Sequence, residues 1–141
     1  MARAPLDHTT FQNNTMPIER HHVGKRLSDA VVFMPAGERL VYLAGQVAQD
    51  PAADVSAQAK SVLKQIDTLL AEVGSDKSQI LSATIYLPDM NDFAAMNAVW
   101  DGWVPQGHTP ARATVEARLA DPAYRIEIQV VAAAPAAMPT D

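Results

Sequence analysis

Apolar residues recur with two different spacings along this chain, and the switches between them predict seven elements. The runs DAVVFM (29–34) and LVYLAGQVAQ (40–49) flank the short Gly-containing turn PAGER, the pattern of a β-hairpin. Gly45 lies inside the second run, where an internal glycine marks either a bulge or a point at which another group approaches the backbone. Asp50-Pro51 breaks that strand. From Val55 onward, Val55, Ala59, Val62, Ile66, Leu69 and Val73 recur at intervals of three and four, one face of an amphipathic helix. Asp54 is placed to cap it and Gly74 stands where a C′ glycine belongs. Strict alternation returns in ILSATIYLPD (80–89), with Leu81, Ala83, Ile85 and Leu87 set against Ser82, Thr84 and Tyr86. A second helix, FAAMNAVWDGWV (93–104), is capped by Asn91 or Asp92 and buries Phe93, Met96, Trp100 and Val104. A strand over 111–119 then turns Ala113, Val115, Ala117 and Leu119 one way and Thr114, Glu116 and Arg118 the other. After a turn at Asp121-Pro122, RIEIQVVAA (125–133) forms the last strand.

The order β-β-α-β-α-β-β predicts an α+β fold, a mixed sheet with two helices on one face. No further helix is left for the opposite face, so self-association is the natural way to cover it. A length of 141 residues suits one domain. We place it at 21–134, between a flexible N-terminal arm (1–20) and an Ala/Pro-rich tail (135–141) expected to be disordered.

Composition removes several classes of function. There are no cysteines, hence no disulfide, thiolate metal site or cysteine nucleophile. The net charge is −5, and the 11 basic residues are scattered without a run, so nucleic acid is not expected as a partner. No apolar run approaches the roughly 18–20 residues of a membrane helix. The N-terminus lacks the apolar segment of a secretory signal. A cytoplasmic protein with no membrane partner is expected. The sequence has no Gly-rich phosphate loop, GxSxG or HExxH motif. His8, His21, His22 and His108 lie in predicted loops without ligand partners at metal spacing, so no metal site is expected.

Three residues break their local pattern. Asn97 falls in the buried stripe of the second helix, where an amide must be hydrogen-bonded; it either brackets a loop or lines a cleft. Arg112 follows Pro110 at the mouth of a strand. It is either a surface arginine or a well-placed fork for a planar carboxylate. Glu127 sits between Ile126 and Ile128, and it could pair with Arg112, hold a water or point to solvent.

Taken together, Pro110-Ala111-Arg112-Ala113, Ile126-Glu127-Ile128, LVYLAGQVAQD (40–50), Gln58 and LPDMNDFAAMNAVW (87–100) resemble the signature of the reactive-intermediate deaminase (RidA, YjgF-like) family over about residues 24–132. The resemblance implies a chorismate-mutase-like α+β fold and a homotrimer, with the sheets forming a central barrel and ligand clefts between subunits. It also implies hydrolysis of 2-imino or enamine acids to 2-keto acids and ammonia, without metal or cofactor. Arg112 would grip the substrate carboxylate and Glu127 would handle the water or proton. Arg26, Ala44, Gly45, Asn97 and Thr114 would line the cleft. The chain departs from the pattern in three places: Arg26 replaces the aromatic wall of a common tyrosine, Ala44 replaces a serine, and Thr114 replaces a frequent cysteine. Arg26 either favours a dianionic or larger acid or faces water. A trimer that binds or senses small carboxylates without turnover is the competing class. Ribonuclease activity, a label carried by some relatives, fits the acidic balance poorly.

Overall fold

Main-chain pairing collects most of the strands into one sheet. The computed structural model describes residues 18–26, 28–33, 37 and 39–136. β1 (Ile18–Val23) and β2 (Ser28–Phe33) form an antiparallel hairpin, with Ile18 opposite Phe33 and Val23 opposite Ser28. A second, four-stranded sheet has the order β3-β6-β4-β5 and is built from β3 (Arg39–Tyr42), β4 (Ile80–Leu87), β5 (Ala111–Glu116) and β6 (Glu127–Ala134). Only β4 and β5 run parallel; the sheet is mixed.

The element order is therefore β-β-β-α-β-α-β-β, a correction to the seven elements read from the sequence. The added strand reads IERHHV, with polar residues at four of its six positions, so apolar patterning gives no sign of it. Its place is fixed by pairing with β2. The strand predicted over 40–49 is also shorter. Leu43 N–H bonds the Val130 carbonyl at 3.1 Å, and Gln46 exchanges bonds with Ile128 at 2.9 and 3.1 Å. Ala44 and Gly45 thus stand against the single residue Gln129, which makes this a β-bulge that ends regular pairing. The tail over 137–141 lies outside the described residues, as do residues 1–17 of the predicted arm.

α1 (Val55–Glu72) begins where the Asp54 carboxylate accepts the Ala57 N–H at 2.8 Å. It ends at Gly74 (φ 80°), with Gly74 N–H on the Ala71 carbonyl and Ser75 N–H on the Leu70 carbonyl. Those two bonds satisfy the last free carbonyls of the helix in a Schellman arrangement. α2 (Phe93–Trp103) differs in its start. Asp92 occupies the cap position but makes no capping bond; its carboxylate takes Arg125 Nη2 at 2.8 and 3.0 Å instead. Phe93, expected in the buried stripe, is exposed, because the helix is still entering there from a short 3-10 turn (Met90–Asp92).

Both helices contribute to one core. Ala83, Ile85 and Leu87 of β4 and Ile128, Val130 and Ala132 of β6 are buried with Val62, Ile66 and Leu70 of α1 and Met96 and Trp100 of α2. Gln58, fully buried on α1, ties two connections to that helix. Its Nε2 serves the carbonyls of Pro51, Ala53 and Ala123 at 3.2, 3.0 and 3.1 Å, and its Oε1 accepts Arg125 N–H at 2.9 Å. The opposite sheet face is uncovered in the chain taken alone and displays Leu40, Tyr42 (71% exposed) and Val115. The alternation predicted for β5 is present through Glu116, but its apolar side, Ala113 and Val115, turns to this open face.

Candidate active site

Strand register decides which predicted residues can meet. Arg112 pairs with Ala83, and Thr114 pairs with Ile85. Both therefore lie on the face that packs against the helices. Glu127 pairs with Tyr86, one residue out of phase with Ala83 and Ile85, and projects from the open face. Arg112 and Glu127 of one chain are thus on opposite sides of the sheet, with β4 between their strands. No ion pair joins them among the described residues, which removes the pairing suggested by sequence.

The Arg112 half of the site is built on α2. Arg112 Nη1 donates to Asn97 Oδ1 at 2.9 Å, and its Cζ lies 5.3 Å from the centroid of the Trp100 ring. A guanidinium has only donors, so the amide of Asn97, 3% exposed, must present its oxygen. Asn97 is a bracket, and what it holds is the arginine. The aromatic face beneath adds a cation–π contact. Arg112 Nε and Thr114 Oγ1 are both buried without a hydrogen-bond partner among the described residues. Two polar atoms desolvated side by side on one strand cost free energy unless another group satisfies them. Burial holds the Arg112 guanidinium below its ordinary value, the nearby Arg26 charge adds to this, and Asp101 opposes it. A carboxylate arriving at that fork offsets the same penalties.

Arg26 comes from the β1–β2 loop. Three consecutive carbonyls of that loop are held by donors from α2 and the segment after it. Thr109 Oγ1 bonds Gly24 O at 3.1 Å, Gln106 Nε2 bonds Lys25 O at 2.9 Å and Trp100 Nε1 bonds Arg26 O at 2.9 Å. Arg26 Nε then donates to Asp101 Oδ1 at 3.0 Å, and Lys25 Nζ stands 4.0 Å from Asp101 Oδ2. Asp101 was not singled out in the sequence, and Trp100 was expected only as a core residue. Asp101 is a polar residue four positions after Asn97, on the same helical face, and that spacing was the available signal.

The second half is small. The bulge brings Gly45 under the Glu127 side chain, where a Cβ would meet the carboxylate oxygen Oε2 and lie 2.9 Å from Cδ. Of the two readings of Gly45, both apply: it sits in a bulge, and the group approaching its backbone is Glu127. Ala44 is exposed beside it, and its carbonyl accepts Gln46 Nε2 at 3.0 Å. Three surface grooves lie elsewhere, between Gln46 and α1, between α1 and α2, and along Arg118–Tyr124. None is lined by Arg112 or Glu127. Among the described residues no three His, Asp or Glu side chains converge as metal ligands, and no helix is long and apolar enough to cross a membrane. His8 lies outside the described residues, and His22 and His108 are exposed.

A family model described as Endoribonuclease L-PSP matches residues 22–134. The chain belongs to this YjgF/RidA family. It is 47% identical over 118 residues to the RutC family protein YoaB of Escherichia coli K12, covering 84% of this chain and 99% of that protein. Among solved structures, NMB1025 of Neisseria meningitidis, a member of the YjgF protein family, aligns with a TM-score of 0.66 at 46% identity, covering 88% of this chain and 100% of that one. A more distant YjgF/RidA relative is the rat 2-iminobutanoate/2-iminopropanoate deaminase, 32% identical over 101 residues, covering 67% of this chain and 73% of that protein. The resemblance read from the sequence is thereby established as family membership. Within the YjgF/RidA fold, this chain carries a desolvated arginine fork on one sheet face and a glycine-backed carboxylate on the other.

Proposed function

We propose that this protein hydrolyses reactive 2-imino acids, or their enamine tautomers, to 2-keto acids and ammonia. The observation that carries this reading is the Arg112 fork, held by Asn97 and Trp100, with Nε and the neighbouring Thr114 hydroxyl left without partners among the described residues. It suits a carboxylate adjoining a C=N carbon. Bidentate binding fixes that carbon in one orientation, which is much of what an intrinsically electrophilic imine requires. A water adds to the imine carbon, and the resulting carbinolamine loses ammonia as its C=O forms. Glu127 takes the proton from water and returns it to the departing nitrogen. Overall R–C(=NH)–COO⁻ and H₂O give R–CO–COO⁻ and NH₃.

In this reading the enzyme is a homotrimer, and each cleft joins the Arg112 face of one subunit to the Glu127 face of its neighbour. The opposite projection of the two residues and the exposed Leu40, Tyr42 and Val115 support that arrangement. The test generates 2-iminopropanoate and 2-iminobutanoate in situ with an amino-acid oxidase and traps surviving imine with semicarbazide. Faster imine loss than in buffer is the expected result. Loss no faster than in buffer, with small keto acids still bound, would favour the carboxylate-binding trimer instead.

Two further outcomes follow from the geometry. When Arg112→Ala and Glu127→Gln subunits, each inactive alone, are mixed in equal amounts, about one quarter of the clefts regain both groups if they come from different chains. A mixture with no activity would place both residues of a cleft in one chain. Gly45→Ala pushes the Glu127 carboxylate aside. The side chain can swing, so the fold survives. A displacement near 1 Å lowers kcat/KM by about 100-fold, measurable in the same trap beside an unchanged circular dichroism spectrum.

A further inference from the structure

Arg26 offers a second cation to the cleft, and its attachments define where. The Arg112 guanidinium is held by Asn97 and Trp100, whereas the Arg26 side chain is held by Asp101 and its main-chain carbonyl by Trp100. Asn97 and Asp101 lie one turn apart on the same face of α2, a rise of about 5.4 Å per turn. The two guanidiniums are therefore anchored on consecutive turns of one helix, and Trp100 meets the guanidinium of Arg112 and the main chain of Arg26. Asp101 engages Arg26 only through Nε, and the two Nη groups make no other bond among the described residues. The Arg26 side chain is 46% exposed, whereas that of Asp101 is only 15% exposed. Asp101 thus orients the fork from behind and leaves its outer edge open. Three cations, Arg112, Arg26 and Lys25, stand against the one Asp101 carboxylate.

We infer that the cleft selects substrates bearing a second carboxylate, Arg26 taking that group while Arg112 takes the carboxylate beside the C=N carbon. This rests on the hydrolase reading for its chemistry and on the paired arginines for its selectivity. Anchors one helical turn apart and two net positive charges suit a short dicarboxylate, for which 2-oxoglutarate is the probe. A monoacid such as pyruvate leaves the Arg26 edge bonded only to water. One charge-assisted hydrogen bond to a partly exposed arginine corresponds to a preference of about tenfold.

The experiment has a kinetic arm and a binding arm. The first compares kcat/KM for 2-iminoglutarate and 2-iminopropanoate, each generated by an oxidase. The second compares calorimetric Kd for 2-oxoglutarate and pyruvate, which needs no turnover. The parent is expected to favour the diacid by about tenfold in both, with Arg26→Gln bringing the ratios near one and Arg26→Lys giving intermediate ratios. Lys60→Gln, which removes an exposed charge from α1, is expected to leave both ratios unchanged. Ratios near one in the parent, or ratios untouched by Arg26→Gln, overturn the inference. If the parent binds 2-oxoglutarate preferentially through Arg26 but hydrolyses neither imine, the hydrolase reading fails and the diacid selectivity stands. Rapid hydrolysis of 2-iminopropanoate with no diacid preference is the reverse outcome.

Discussion

Replacing Arg112 with alanine is expected to lower kcat/KM for the proposed imine hydrolysis by at least about 100-fold while the proposed trimer stays intact. The activity loss follows from the number of jobs done by one side chain. In the proposed reaction it would supply the bidentate contact, the positive charge and the orientation of the reacting carbon, and no neighbour offers all three. Stability moves much less, because two effects oppose each other. The substitution strands the Asn97 oxygen, worth on the order of 1–3 kcal/mol when buried. It also removes a cation whose own burial is unfavourable, as the lowered pKa of Arg112 indicates. Arg112→Lys keeps the charge but not the planar fork, so it should recover only part of the activity. Semicarbazide trapping measures the rates, and sedimentation velocity measures the assembly. Hydrolysis by Arg112→Ala at the parent rate would falsify the assignment.

Gln58→Leu is expected to have the largest effect on stability, about 3 kcal/mol and roughly 10 °C in the thermal midpoint. Its amide meets four main-chain groups from three places: Pro51 and Ala53 before α1, Ala123 in the turn after β5, and Arg125 at the entry to β6. A leucine fills nearly the same volume, so packing changes little. What is lost is the partner of a partly buried Arg125 N–H and of carbonyls that then compete for other donors. Glu127 follows Arg125 by two residues, so a loosened turn also blurs the carboxylate position. Differential scanning calorimetry checks the midpoint, and a shift under about 3 °C would mean that water replaces the amide, since about 1 kcal/mol corresponds to such a shift at this chain length.

Some of this was readable from the sequence and some was not, for identifiable physical reasons. Helical spacing put Asn97 in the buried stripe of α2 correctly, because burial on a helix follows from periodicity alone. What Asn97 holds was not readable, since Arg112 is 15 residues away and reaches it only after β5 has crossed to lie beside β4. The β1 strand was missed because pairing uses main-chain groups and IERHHV has no apolar alternation. The pairing of Arg112 with Glu127 remained open because single-strand patterns do not give register. Once Ala83–Arg112 and Tyr86–Glu127 are aligned, a one-residue phase difference puts the two on different faces. Asp101 joins Arg26 across 75 positions, a separation at which local patterns carry no information.

Besides the Arg26 and Lys25 contacts to Asp101, the loop that carries Arg26 is held by three of its carbonyls. Thr109, Gln106 and Trp100 read the main chain at Gly24, Lys25 and Arg26, and main-chain contacts do not depend on which side chains the loop carries. The fork on β5 and the residue presented opposite it therefore belong to separately replaceable parts of the chain. Evolution could exchange the short loop as a cassette, retuning which molecules are accepted while leaving the grip and the core packing behind it undisturbed.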